Sequence, residues 1–160
     1  MVGLLALLLT LSGCVPYPDG LVARRAEGFV VRSQCPPGSA PQVTGVEVWS
    51  LGESEEDPYE TTTTKVTRKK IWSASVRDGQ ARDGIVLFSS RPDLDIKDVG
   101  AAKVRDTTWL ELLIYTRNAS SGAVFRLGDL KDGQALYNSE VMSEPDLPPP
   151  DSNSWLNCKR

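Results

Sequence analysis

Histidine is missing from all 160 residues. Its absence removes Ser-His-Asp and Cys-His triads, imidazole metal ligation and the side chain that most often serves as a near-neutral general base. Also lacking are a GxSxG nucleophile elbow, a GxxxxGK[ST] phosphate loop, a GxGxxG dinucleotide fingerprint and an HExxH zinc helix. Hydrolases and nucleotide-dependent enzymes thereby lose their usual signatures, and no cofactor is implied. Positive charge is not in excess either. With 18 basic and 21 acidic residues the formal net charge is −3, so no global field would hold a polyanion, and nucleic acid is not an expected partner. The one long uncharged run of mostly apolar residues, 2–11, is ten residues long, about half of what a membrane-spanning helix needs. What remains is ordinary: 40% hydrophobic and 24% charged residues, in a length that fits one domain on a scale of roughly 100–200 residues each.

The run at residues 2–11, VGLLALLLTL, has the length and position of the apolar core of a secretory signal. It leads into Leu11-Ser12-Gly13-Cys14: an aliphatic residue, two small residues and a cysteine. This segment resembles the bacterial lipobox. The resemblance implies that residues 1–13 are a signal peptide, that cleavage falls between Gly13 and Cys14, and that the Cys14 thiol carries a diacylglycerol. Each lipid methylene adds about 0.8 kcal/mol of membrane affinity, so two or three chains make a lasting anchor. The implied location is the extracytoplasmic side of a cell membrane. The alternative is a short apolar segment packed into a core, with Cys14 a buried thiol.

Lipidation of Cys14 would leave Cys35 and Cys158 as an even pair in an exported chain, the setting in which disulfides persist. A bridge between them would tie the C-terminus to the start of the domain. The alternative is two free thiols. A zinc site from these cysteines alone lacks the usual four ligands. Residues 144–151, EPDLPPPD, form an extended run that can hold neither a helix nor a central strand. At the other end, residues 14–28 read as a lipidated tether with little order, in which Arg24 and Arg25 could face anionic lipid or simply solvent.

From residue 29 to 160 the chain reads as a single all-β domain with a proline-rich tail. Short β-branched and aromatic runs alternate with turn clusters. Over residues 43–51 Val46 and Val48 share one side, Glu47 and Trp49 the other. Residues 61–76 read as one long strand. Residues 107–116 put Leu110, Leu112 and Ile114 inward, with Trp109, Glu111, Leu113 and Tyr115 opposite. About seven strands result, predicting an antiparallel β-sandwich of immunoglobulin- or fibronectin-like architecture, with a small β-barrel as the alternative.

No catalytic residue and no metal ligand set emerges. The acidic groups Glu53, Glu55, Glu56, Asp57 and Glu60, and Asp93, Asp95 and Asp98, lack the spacing of a calcium loop and read as solvated turns. Trp49 and Trp109 sit opposite the aliphatic stripes and could form a ligand platform, since an exposed indole stacks on a sugar or anchors a protein; packing beneath a loop or tail is the other possibility. The functional expectation is a membrane-anchored, non-catalytic binding or scaffolding module for an envelope protein or polymer. An envelope enzyme using paired carboxylates on a glycan, or a small-ligand carrier with a barrel cavity, are the alternatives.

Overall fold

Residues that alternate apolar and polar with a period of two pair into strands. The computed structural model describes residues 21–32, 43–59, 66–78, 84–117, 120–137 and 140–148, and these contain β1 (Leu21–Arg25), β2 (Gly28–Arg32), β3 (Val43–Glu53), β4 (Lys69–Val76), β5 (Gly84–Val86), β6 (Leu94–Asp98), β7 (Thr108–Thr116), β8 (Ser120–Arg126), β9 (Gln134–Tyr137) and β10 (Glu140–Ser143). They form two five-stranded antiparallel sheets, ordered β10-β9-β1-β2-β5 and β6-β4-β3-β7-β8. The architecture is a two-sheet sandwich, and neither sheet closes into the barrel kept as an alternative.

One apolar core lies between the sheets. The first sheet supplies Val22, Phe29, Val31, Ile85 and Leu136; the second supplies Val46, Val48, Trp72, Ala74, Leu110, Leu112, Ile114 and Phe125. The alternation read in β3 and β7 is the one observed, with Glu47, Trp49, Glu111 and Tyr115 left half-buried on the far face. Two aromatic contacts join the layers and their loops: Phe29 on Phe125 at 6.5 Å and Phe88 edge-on to Trp72 at 5.7 Å. Phe88 carries a positive φ of 58°. A bulky residue there costs roughly 1 kcal/mol or more, which ring burial against Trp72 offsets.

Three expectations need correction. The tether expected over 14–28 ends earlier, because Leu21–Arg25 is a strand hydrogen-bonded between β2 and β9, with Val22 and Ala23 fully buried. The domain boundary placed at residue 29 is therefore at or before residue 21. Arg24 and Arg25, read as free charges, are paired with Asp132 and Glu144 across the sheet. The long strand expected over 61–76 is interrupted: residues 66–68 are not strand, β4 starts at Lys69, and the chain just before it swings Arg68 over the Trp49 ring, while 61–65 lie outside the described residues. Finally, Asp95 and Asp98 lie in β6, a strand whose Leu94 is buried, and not in an acidic loop. Residues 1–20, 33–42 and 149–160 fall outside the described residues, and with them Cys14, Cys35 and Cys158.

The start of the proline-rich run is pinned. Residues Glu144–Asp146 make a single 3-10 turn off β10. There the Glu144 carboxylate accepts two hydrogen bonds from Arg25, at 3.0 and 2.8 Å, and one from Arg32 at 3.0 Å. Leu147 then packs against Ala23 and Ala135 on the outer face of the first sheet.

Candidate functional site

The far face of the second sheet gathers the polar and aromatic side chains that the sequence puts opposite the aliphatic stripes. Register decides who meets whom. Trp49 of β3 lies across from Lys70 of β4 and Glu111 of β7, Glu47 across from Ser73 and Leu113, and Gly45 across from Ser75 and Tyr115. A bulge between Val48 and Trp49 shifts the β3–β4 register by one residue, which brings Lys70 beside both Glu47 and the indole.

Glu47 is the most heavily bonded group. The Lys70 ammonium donates to it, and so does the Trp49 indole N–H at 3.2 Å. Burial disfavours its charged form, but the Lys70 ammonium, aided by hydrogen bonds from Trp49 and the Tyr115 hydroxyl, outweighs burial and holds the carboxyl below the usual carboxylate range. Tyr115 is pushed up, by burial first and then by the neighbouring Glu47 charge. One residue row further along, Arg68 bonds Glu111 at 2.6 Å while its guanidinium lies 4.7 Å over the Trp49 ring. The Tyr59 hydroxyl donates to the same Glu111 at 3.2 Å. The result is a ladder in which cation, indole and carboxylate alternate.

Beside the ladder the sheet surface is hollow. Gly45, Ser73 and Ser75 form the floor of an open depression of about 710 Å³, with Glu47, Lys70 and Tyr115 along one wall and Asp95 and Lys97 on the other. The hollow exists because small residues of β3 and β4 sit between larger side chains on either side. Its lining offers hydroxyls, a phenol and fixed charges of both signs. That set can hydrogen-bond a polar polymer, but contains no nucleophile paired with a base.

The two tryptophans singled out from the sequence do share this face, yet neither is an open stacking surface. Trp109 is only 9% exposed, donates its indole N–H to the Ser54 carbonyl at 3.0 Å and lies under the Arg126 guanidinium at 4.8 Å. Trp49 is half-buried and shared by Arg68 and Lys70. A sugar ring would have to displace these cations first. Three of the acidic residues are also occupied. Asp95 pairs with Arg77, Asp98 caps the turn at Gly100 and Ala101, and Glu53 pairs with Arg105. Among the described residues no group of three or more Cys, Asp or Glu comes together as a metal site, and no helix is long and apolar enough to cross a membrane.

Alternation alone shows that Glu47, Trp49, Glu111 and Tyr115 face outward. It does not show that Arg68, Lys70 and Arg126 cover the indoles, because those partners come from other strands through a bulged register. Comparison of the chain with protein-family models, with curated proteins and with solved structures finds no match.

Proposed function

We propose that this protein is a lipid-anchored module of the cell envelope, tethered to the membrane through Cys14 and binding an envelope protein or polymer without catalysis. Its two-sheet domain has immunoglobulin- or fibronectin-like architecture in the coarse sense only, and a Cys35–Cys158 disulfide staples its ends. Support for the anchor is the Leu11-Ser12-Gly13-Cys14 segment behind an apolar leader. Support for the staple is that β2 ends at Arg32, three residues before Cys35, while Glu144 pins the start of the C-terminal run to that same arginine. The small-ligand carrier needs a barrel lumen, whereas the space between the sheets is filled by one apolar core.

The observation that carries the non-catalytic reading is the engagement of the far-face carboxylates by cations, Glu47 by Lys70, Glu111 by Arg68 and Asp95 by Arg77. Glu47 and Glu111 are diagonal neighbours on β3 and β7, which places their backbones about 7–8 Å apart. Side chains reaching from such positions could bring two carboxyl groups to the spacing a glycosidase uses. A glycosidase, however, needs a proton-carrying general acid with a raised pKa, and Glu47 is shifted the other way. The test is to incubate the protein with purified cell-wall glycan and measure new reducing ends. No release above buffer is expected from the wild type or from Glu47→Gln. Release by the wild type that Glu47→Gln abolishes would overturn the binding-module reading in favour of the enzyme.

A further inference from the structure

The four edge strands of the sandwich are not equally protected. β5 is three residues long and β10 four, and β6 carries Asp95, Lys97 and Asp98. These are the devices by which sheets avoid pairing with other chains: short edges and charged edges. The seven-residue β8, SSGAVFR, has no proline and no charge before its last residue. Its ladder to β7 runs without a bulge from Trp109↔Arg126 to Tyr115↔Ser120. Among the described residues its backbone pairs with β7 alone. A long, straight, uncharged edge of this kind is a template for a further strand.

We infer that β8 pairs antiparallel with β8 of a second copy, about a two-fold axis at Ala123, joining two five-stranded sheets into one of ten strands. The sequence of the edge is complementary to itself in that register. Ser121 meets Phe125, Ala123 meets Ala123, and Ser120 meets Arg126, so no like charges stand directly opposite. Gly122 meets Val124. Gly122 leaves a notch in which a Cβ would lie 3.4 Å from Leu113 Cδ2, so Val124 of the copy packs over the half-buried Leu113. An interface of this isologous kind closes at two and cannot run on into a fibre.

Seven paired residues fall short of the roughly 1,200 Å² that a stable soluble interface buries. The dimer is accordingly weak in dilute solution and grows with local concentration, as on a crowded membrane face. The anchored reading enters only there, and the experiment does without lipid. Antiparallel partners on a two-fold have Cα atoms about 4.5–5.5 Å apart, inside the range of about 4.4–6.8 Å that a disulfide accepts. Under mild oxidation at high protein concentration, Ala123→Cys should give a covalent dimer at least tenfold faster than Lys97→Cys on the charged edge β6. In sedimentation, unmutated protein should associate to dimers as concentration rises. Ala123→Lys, which puts a charge on the axis at a side chain packed against the core, and Val124→Lys, on the outward face where Val124 would cover Leu113 of the copy, should both stay monomeric, the latter while keeping the wild-type circular dichroism. Equal crosslinking at positions 123 and 97, a wild type monomeric at the highest concentration reached, or an Ala123→Lys or Val124→Lys protein that dimerises as well as the wild type would each overturn the inference. Absence of lipid on Cys14 would leave all of these outcomes readable.

Discussion

Trp72→Ala is expected to remove about 3–5 kcal/mol of folding stability, the usual cost of emptying a buried aromatic site. Among the described residues Trp72 is the largest fully buried side chain, 1% exposed. It stands on β4 across from Val48 and receives the edge of Phe88. Deleting it opens a cavity between the sheets and leaves Phe88 with a positive φ and no ring to repay it. A domain of this size has about 5–15 kcal/mol in all, so the variant should be partly unfolded near physiological temperature. Urea denaturation followed by fluorescence of the remaining tryptophans should show a midpoint shift with little change in slope. A loss below about 1 kcal/mol would mean that Trp72 does not sit in the shared core.

Glu144→Gln is expected to cost about 2 kcal/mol at neutral pH, in the range of charge-assisted hydrogen bonds. Its carboxylate is 18% exposed and neutralises two arginines at once. The hydrogen bond from Arg25 is the main influence holding the Glu144 carboxyl below the usual range; burial opposes it, and the charges of Arg25 and Arg32 add to the lowering. Arg32 moves the opposite way to a simple ion pair: burial and then the like charge of Arg25 lower its pKa, outweighing Glu144. Without the carboxylate, two guanidiniums would face each other across the β1–β2 hairpin. The pH dependence follows in sign. A carboxyl whose folded pKa is depressed contributes stability that is fully present above its unfolded pKa, about 4.3, and is lost as pH falls through the folded value. The stability gap between wild type and Glu144→Gln should therefore be full at pH 7 and narrow steadily under acid. Hydrogen exchange should show the loss first in β9 and β10, from which the pinned turn departs. A gap that does not change with pH would mean that the carboxylate is not what holds this segment.

The parts of the fold that could be read ahead are those where one residue type decides. Val46 and Val48 against Glu47 and Trp49 specify β3, and Leu110, Leu112 and Ile114 specify β7, because each set has one apolar face that must be buried. β1 was hidden for the opposite reason. Its Ala23, Arg24 and Arg25 look like linker until Asp132 and Glu144, more than a hundred positions away, cancel the charges. β6 was hidden by its aspartates, though Leu94 and Ile96 alternate as a strand requires. The face carrying the candidate site was legible in direction only. That Trp49 and Trp109 point away from the core follows from alternation; that Arg68, Lys70 and Arg126 lie over them depends on cross-strand register and a bulge, which no local window of sequence contains.

The claim on which the proposed role rests is the tether. Protein taken from native membranes, digested without reduction and analysed by mass spectrometry, should yield an N-terminal peptide that begins at Cys14 and carries the mass of a diacylglycerol, together with a Cys35–Cys158 crosslinked pair. A peptide running unmodified through Gly13-Cys14 would contradict it.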